Sequence, residues 1–300
     1  MKQDAAPSVR QPLQRRKWRP ALLERRWRRY RSAIRAVSAR AGRSDDRRWP
    51  HPPQAAAGGE PADCAEGRGL LFNGHRLATA VRVLAGKRVV IFCHGFGGTK
   101  DGPSGGLFID LARALAKAGV SSLRFDQYGS GASEGRFEDS SFADWVATTR
   151  AIADHYLRQD YRVALLGHSM GGSAAIAAAV DDERLAGLAA WVPDPVTAAP
   201  TADPDEFMEE GGKRVRWRFW HEAHAADVAT ALTRIEIPTY VVLAAADAHI
   251  ASADQQKLLQ ASAPHGQIEQ LSGYPHSGWT SEQAEPVVEA TTAFLVRTTS

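Results

Sequence analysis

From Leu70 onward, short apolar runs alternate with longer stretches of helical periodicity. The short runs are bounded by Gly, Pro or charged residues, which is typical of strands buried on both faces of a sheet. Strands that alternate with helices in sequence run parallel, because each helix returns the chain to the same edge of the sheet. The alternation therefore predicts an α/β fold with a mostly parallel central sheet flanked by helices.

The apolar runs and periodic stretches give approximate bounds for the predicted elements. Strands are predicted at Val81–Leu84, Arg88–Cys93, Ser121–Phe125, Arg162–Leu166, Leu188–Val192, Thr239–Ala244 and Ile268–Leu271. Helices are predicted at Gly106–Lys117, Phe142–Leu157, Gly171–Val180, Ala253–Gln260 and Glu285–Val296. The stretch Pro193–Ala231 breaks the alternation, so we expect a small lid insertion at about 195–231.

Residues 1–65 differ in composition from the rest of the chain. The first 50 residues contain 14 Arg and 2 Lys against 4 acids, a charge of +12, which leaves −9 of the total +3 to residues 51–300. Apolar residues spaced four and three apart predict an Arg-rich amphipathic helix around Leu23, Trp27, Tyr30, Ile34 and Val37. Such a helix fits peripheral contact with an anionic membrane or a partner. The alternatives are a poorly ordered basic arm and linker, or upstream sequence outside the true reading frame.

The remaining bulk properties restrict location and chemistry. No run of 18 or more apolar residues occurs, and the Arg-rich N-terminus does not resemble a secretory signal peptide. Two cysteines, Cys64 and Cys93, provide no disulfide framework. We therefore expect a cytoplasmic protein. No metal-binding spacing such as H-E-x-x-H occurs, so no metal or organic cofactor is expected, and the acidic body argues against binding nucleic acid.

The pentapeptide GHSMG at 167–171 carries the most specific chemistry. It lies between a predicted strand and an Ala-rich predicted helix, the context in which G-x-S-x-G forms a sharp turn that presents the serine hydroxyl. Ser169 is therefore the predicted nucleophile. The backbone N–H of Met170, at the start of the helix, is one predicted donor to an oxyanion.

A second glycine-rich segment, HGFGG at 94–98, directly follows the strand Arg88–Cys93. Enzymes with a nucleophile elbow carry the other oxyanion donor on a loop of this kind. We assign that donor to the backbone N–H of Phe96, with Gly97 as the alternative. His94 is expected to form structural hydrogen bonds.

The base and the acid should follow the serine in the order acid, then histidine. His276 lies between the last predicted strand and the last helix, whereas His265 precedes that strand and belongs at its opposite edge. Asp247, which follows the strand Thr239–Ala244, is the predicted acid. Asp194, which follows the preceding strand, is the alternative.

The insertion is expected to set substrate specificity. Trp217, Phe219 and Trp220 alternate there with arginines, and they are the predicted substrate-binding residues. The alternative is an amphipathic lid helix whose aromatic side chains pack on the core.

These motifs resemble those of α/β hydrolases, in particular the serine aminopeptidase and lysophospholipase-like group and its bacterial cinnamoyl and feruloyl esterases. The resemblance covers about residues 70–298 and includes HGFGG at 94–98, RFDQYGSGASEG at 124–135, GHSMGG at 167–172, Asp247 and His276. It implies an α/β-hydrolase fold and a role for Asp126 in supporting the loop beneath the site. The basic arm has no counterpart in that pattern, and the insertion does not align with it.

The predicted function is hydrolysis of a small-molecule carboxylic ester by a Ser169–His276–Asp247 triad through an acyl-enzyme. One alternative is an aminopeptidase-like amide hydrolase, which needs an acidic anchor for the substrate amine; Asp205, Glu206, Glu209 and Glu210 are the candidates. The other is a binding protein that has kept the fold without catalysis.

Overall fold

The structure, a computed structural model, describes residues 65–261 and 266–300. Its strands are β1 (Ala65–Phe72), β2 (His75–Arg82), β3 (Arg88–Cys93), β4 (Ser121–Phe125), β5 (Arg162–His168), β6 (Gly187–Trp191), β7 (Phe207–Glu210), β8 (Lys213–Arg216), β9 (Thr239–Ala244) and β10 (Gly266–Leu271). Its helices are α1 (Leu107–Lys117), α2 (Phe142–Leu157), α3 (Met170–Ala179), α4 (Trp217–Ala226), α5 (Val228–Leu232), α6 (Ser252–Gln260) and α7 (Ser281–Thr299), with a 3₁₀ turn at Phe137–Asp139.

Eight of these strands form one sheet in the order β1-β2-β4-β3-β5-β6-β9-β10. The six strands from β4 to β10 run parallel to one another, and β1 and β2 add an antiparallel hairpin at one edge. At the centre, Ile91 of β3 is paired with Leu123 of β4 and Leu165 of β5. The prediction of a mostly parallel central sheet is confirmed.

Helices cover both faces of the sheet, and each face has its own apolar cluster. On one face, α1 and α7 pack over a cluster that includes Phe92, Phe108 and Trp191. On the other, α2 and α3 pack over Ile91 and Trp145. All ten residues of α3 are buried, which explains its small Ala and Gly side chains: a wider helix would not fit between α2 and the sheet.

The first two strands differ from the sequence prediction. The predicted strand Val81–Leu84 is wrong in position, because β2 spans His75–Arg82 and Leu84 follows it in the loop before β3. The preceding strand β1 was not predicted, since its sequence AEGRGLLF contains neither an apolar run nor clean alternation. This strand forms because its backbone pairs with β2, and such pairing is difficult to predict from the sequence pattern of the strand itself.

Some sequence predictions lie outside the described residues. The amphipathic helix around Leu23–Val37, the linker, Cys64 and His265 belong to this group. Within 65–261 and 266–300, no helix is both long enough and apolar enough to cross a membrane.

The insertion between β6 and β9 contains the hairpin β7–β8, followed by α4 and α5. A carboxylate ties it to the body of the protein. Oε2 of Glu222, on α4, accepts hydrogen bonds from Ser141 Oγ at 2.6 Å and from the backbone N–H of Ala143 at 2.9 Å, at the start of α2. A carboxylate there satisfies an N–H that the helix leaves free and interacts favourably with the helix dipole.

We expect Asp144→Asn to stabilise the protein at neutral pH. Burial, and then the nearby Glu222 carboxylate, raise the pKa of Asp144 from 3.8 to about 6. The folded state therefore binds this proton more tightly than the unfolded state, and the ionised side chain costs stability as the pH rises from about 4 to about 6. The difference in Tm, variant minus wild type, should be more positive at about pH 7.5 than at about pH 4. A difference that is constant or larger at low pH contradicts this account.

Candidate active site

Ser169 lies on a strained turn between β5 and α3. Its backbone has φ 55° and ψ −128°, an unfavourable conformation for a residue with a side chain. The flanking glycines make the turn possible. A Cβ on Gly167 would overlap the carbonyl of Gly171, and a Cβ on Gly171 would overlap the carbonyl oxygens of Cys93 and His94. The predicted nucleophile elbow therefore has a steric basis in these backbone contacts.

The structure brings Ser169, His276 and Asp247 into one chain of hydrogen bonds. His276 Nε2 lies 2.8 Å from Ser169 Oγ, and His276 Nδ1 lies 2.7 Å from Asp247 Oδ2. Because an ionised carboxylate can only accept, Nδ1 carries the proton and Nε2 is free to accept from the serine hydroxyl. This is the arrangement in which histidine can remove the serine proton.

Asp247 is held by two further hydrogen bonds. Its Oδ1 accepts from the backbone N–H groups of His249 at 2.8 Å and Ile250 at 2.9 Å. Burial opposes ionisation of this side chain, but the hydrogen bonds from His276 and from the two N–H groups outweigh burial and lower its pKa. Asp247 therefore stays ionised and fixes the orientation of His276.

Asp194, the alternative acid, has a different partner. Its Oδ1 accepts from the backbone N–H of Val196 at 2.8 Å, and burial raises its pKa. Its backbone carbonyl accepts a hydrogen bond from Ser173 Oγ at 2.5 Å. The geometry thus places Asp247, and not Asp194, against His276, while Asp194 organises the start of the insertion.

Two residues that the sequence analysis did not single out hold the His276 loop. His168 Nε2 lies 3.2 Å from the carbonyl oxygen of His276, and a carbonyl only accepts, so Nε2 is the donor. Ser104 Oγ accepts from the N–H groups of Gly278 at 2.8 Å and Trp279 at 2.9 Å. The contacts join segments more than 100 residues apart, and no local pattern marks them.

His168 acts here as a neutral donor. Burial, followed by repulsion from His276, lowers its pKa to about 3. Its position inside the GHSMG turn was the only available sign of this role, and the turn motif leaves that residue unspecified.

The HGFGG loop lies beside the serine. A Cβ on Gly95 would lie 3.1 Å from Ser169 Cβ, and Gly98 N–H donates to the carbonyl of Gly95 at 3.0 Å to close the turn. Among the described residues, the backbone N–H groups of Phe96 and Met170 donate to no protein acceptor. Both remain available for a substrate oxygen, as their predicted oxyanion role requires.

Asp126 and His94 support this loop from below. Asp126 is fully buried and accepts from the backbone N–H groups of Lys100 at 2.6 Å and Ala132 at 2.9 Å. His94 Nδ1 donates to its neighbour's carbonyl at 2.8 Å, while Nε2 accepts from Gln127 N–H at 2.9 Å. Both arrangements agree with the structural roles expected for these residues.

The predicted substrate-binding aromatics are packed against Phe96 of the HGFGG loop. The ring centroids of Phe219 and Trp220 lie 5.5 Å and 5.3 Å from that of Phe96. Phe219 is fully buried and Trp220 is 9 % exposed, which favours the alternative of packing on the core for these two. Trp217 is only partly buried and remains the candidate that a substrate could contact.

Comparisons with known proteins agree with the resemblance seen in the motifs. Residues 85–194 match the family model described as "Serine aminopeptidase, S33". No curated protein sequence matches the chain. Among solved structures, Est1E from Butyrivibrio proteoclasticus with ferulic acid bound is 21 % identical with a TM-score of 0.66, over 75 % of this chain and 96 % of that one. A Paleococcus ferrophilus monoacylglycerol lipase is 18 % identical with a TM-score of 0.62, over 74 % of this chain and 99 % of that one. The chain has the α/β-hydrolase fold.

We expect Gly171→Ala to impair the site much more than Gly172→Ala. The added methyl at 171 meets backbone carbonyls at the start of the oxyanion loop, whereas at 172 the nearest atom is Pro193 Cβ at 3.2 Å. Displacement of the loop by about 1 Å should lower activity about a hundredfold. Labelling by a fluorophosphonate, compared after circular dichroism has verified folding, measures the effect. Equal labelling rates for two folded variants contradict it.

Replacing the two candidate acids separates their roles. Asp247→Asn should reduce kcat by about 10⁴, because an amide neither fixes the His276 tautomer nor stabilises the imidazolium. Asp194→Asn keeps an oxygen that can accept from Val196 N–H, so kcat should change less than about tenfold. Steady-state kinetics on one activated ester decides the assignment, and the reverse order of effects would assign the acid to Asp194.

Proposed function

We propose that the protein is a serine hydrolase that cleaves carboxylic esters through an acyl-enzyme. The observation that carries the proposal is the unbroken chain Asp247–His276–Ser169, with distances of 2.7 Å and 2.8 Å. Ordinary packing does not require a serine with a positive φ, a partly exposed histidine and a buried carboxylate in this order.

In the first step, His276 Nε2 takes the hydroxyl proton as Ser169 Oγ bonds to the ester carbonyl carbon. The carbonyl oxygen becomes an oxyanion and accepts hydrogen bonds from the N–H groups of Phe96 and Met170. One such donor contributes about 3 kcal/mol to the transition state. The tetrahedral intermediate then expels the alcohol, which receives the proton from His276.

The second step releases the acid. His276 removes a proton from water, the hydroxide attacks the acyl carbon, and Ser169 leaves with the proton returned by His276. Every proton moves between groups of this chain, substrate and water, so the proposal needs neither a metal nor an organic cofactor.

Ester bonds are the favoured substrate because the named structural neighbours include an esterase domain from Rhodothermus marinus and a monoacylglycerol lipase. The Est1E structure contains bound ferulic acid, an aromatic carboxylic acid of the kind that hydrolysis of an ester releases. The identities are 23 % or less, so they support ester chemistry as a class and leave the acyl group to this chain's own residues.

Amide cleavage is the second candidate, favoured by the name of the matching family and by one acidic residue. Of the candidate amine anchors, Asp205 forms an ion pair with Arg218. Glu209 lies opposite Arg214 in the register of the hairpin. Glu210 at the end of β7 lies near Asp194 and His249, beside the catalytic loops. It is the acid best placed to hold a substrate amine.

Fluorophosphonate labelling together with turnover of short and medium p-nitrophenyl esters tests the proposal. Both should be abolished in Ser169→Ala, because among the described residues Ser169 supplies the hydroxyl that is hydrogen-bonded to His276. Both should be retained in Ser281→Ala, a control at an exposed serine on α7. Aminoacyl p-nitroanilides, assayed in parallel, test amide cleavage. Folded wild-type protein that neither labels nor turns over esters contradicts the proposal.

A further inference from the structure

The hairpin β7–β8 places two charged residues at its tip, next to the proposed catalytic groups. Gly211 and Gly212 form the turn with φ values of 55° and 71°, the left-handed conformation that a two-residue hairpin loop needs at both positions. Glu210 and Lys213 are the last paired residues on either side of this turn. Their positions are thus fixed by the register of the hairpin.

Alternation along β8 gives the hairpin an inner and an outer face. Val215 is fully buried, so Lys213, two residues earlier, extends from the same inner face. Arg214 and Arg216 lie on the outer face, where their guanidinium carbons are 3.9 Å and 4.2 Å from the centroid of the Phe207 ring. Lys213 and Arg214 are therefore adjacent cations with opposite orientations.

The stem of Lys213 lies over the oxyanion loop. A Cβ built on Gly97 would be 3.4 Å from Lys213 Cγ and 3.9 Å from its Cε. The ammonium is 6.0 Å from the centroid of the Phe137 ring. Because Gly97 follows Phe96, whose N–H is a proposed oxyanion donor, the stem of this cation lies against the loop that carries that donor.

Lys213 differs from its neighbours in lacking an acidic partner. Glu138 forms ion pairs with Arg136 and Arg214, and Asp139 with Arg216. Within the described part of the chain, no carboxylate oxygen lies within 4.0 Å of Lys213 Nζ. Its cross-strand neighbour Glu210 forms no ion pair with it within that distance.

We propose that Lys213 binds an anionic group on the acyl part of the substrate, so that the enzyme prefers acidic esters such as monoesters of dicarboxylic acids. This inference rests on the proposed ester hydrolysis. The alcohol must leave near His276 Nε2, from which it takes its proton, so the acyl chain is the part of the substrate left to extend along the loop that carries Phe96 and Gly97, against which the stem of Lys213 lies. A carboxylate on the acyl chain can reach the ammonium, and an exposed ion pair of this kind contributes up to about fivefold in binding.

The test compares kcat/KM for p-nitrophenyl hydrogen adipate, its neutral methyl ester, and a p-nitrophenyl ester of trimethylammoniobutanoate. The variants are Lys213→Gln and, as a matched control, Arg214→Gln, which removes the same charge from the opposite face of the hairpin. In Lys213→Gln the ratio of anionic to neutral kcat/KM should fall about fivefold, through KM. Arg214→Gln should change the ratio less than about twofold. Added salt should weaken the preference in the wild type and not in Lys213→Gln.

Several results overturn the proposal. A wild type without preference for the anionic ester, or an unchanged ratio in Lys213→Gln, removes the evidence for an anion site. An equal loss for both esters assigns Lys213 to the packing of the hairpin or to the transition state. If Arg214→Gln lowers the ratio of anionic to neutral kcat/KM as much as Lys213→Gln does, the preference comes from the general positive charge of the hairpin and not from a site at Lys213. Preference for the cationic ester, lost in Glu210→Gln, assigns recognition to that acid.

Ester turnover that persists in Ser169→Ala, or no turnover at all, instead refutes the proposed hydrolysis.

Discussion

The close approach of two backbone segments organises the rest of this site. At Gly171 the first turn of α3 lies directly against the carbonyls of Cys93 and His94, where β3 ends. No side chain can come between them, so the helix that begins after Ser169 and the loop that carries the predicted oxyanion donor hold each other in place. Neighbouring strands β3 and β5 transmit this constraint, because their paired backbones end at the same edge of the sheet. The strain at Ser169 is thereby balanced by rigid surroundings.

Asp247 and His276, the predicted acid and base, are positioned by a second set of contacts. Asp247 and His276 follow β9 and β10 at one edge of the sheet, and β5 and β6 separate these strands from β3, which precedes the predicted oxyanion loop. Loops at strand ends are generally mobile, yet here His168 and Ser104 hold the loop that carries His276 from two sides. His168 connects the two sets, since it lies within the elbow and donates to the histidine loop. The hydrogen-bonded chain Asp247–His276–Ser169 thus depends on His168 as well as on its own three residues.

The buried strands and the sharp turn at Ser169 could be predicted because each has a local signature, and the structure brings the predicted residues Asp247 and His276 next to that turn. β4, β9 and α2 have the predicted bounds; the apolar run of β9 and the helical periodicity of α2 explain two of these, whereas β4, with the sequence SSLRF, is largely polar. The contributions that depend on distant partners could not be predicted: β1 exists through its pairing with β2, and Ser104 matters only because residue 278 lies beside it. The aromatic residues of the insertion show the same limit. Their sequence spacing could not distinguish a wall of the substrate site from packing on Phe96.

The carboxylate of Glu222 links the insertion to a helix of the main body by hydrogen bonds. It completes the start of α2, a helix of the main body, by accepting from Ser141 and Ala143. The insertion is consequently tied to the body of the domain. An exchange of residues 195–231 for the corresponding segment of another hydrolase would leave a core helix without its terminal partner. Chimeras intended to transfer specificity should therefore carry either this acid or the start of α2 along with the new segment. Without one of them, the chimera loses the hydrogen bonds at the start of α2 and is less stable.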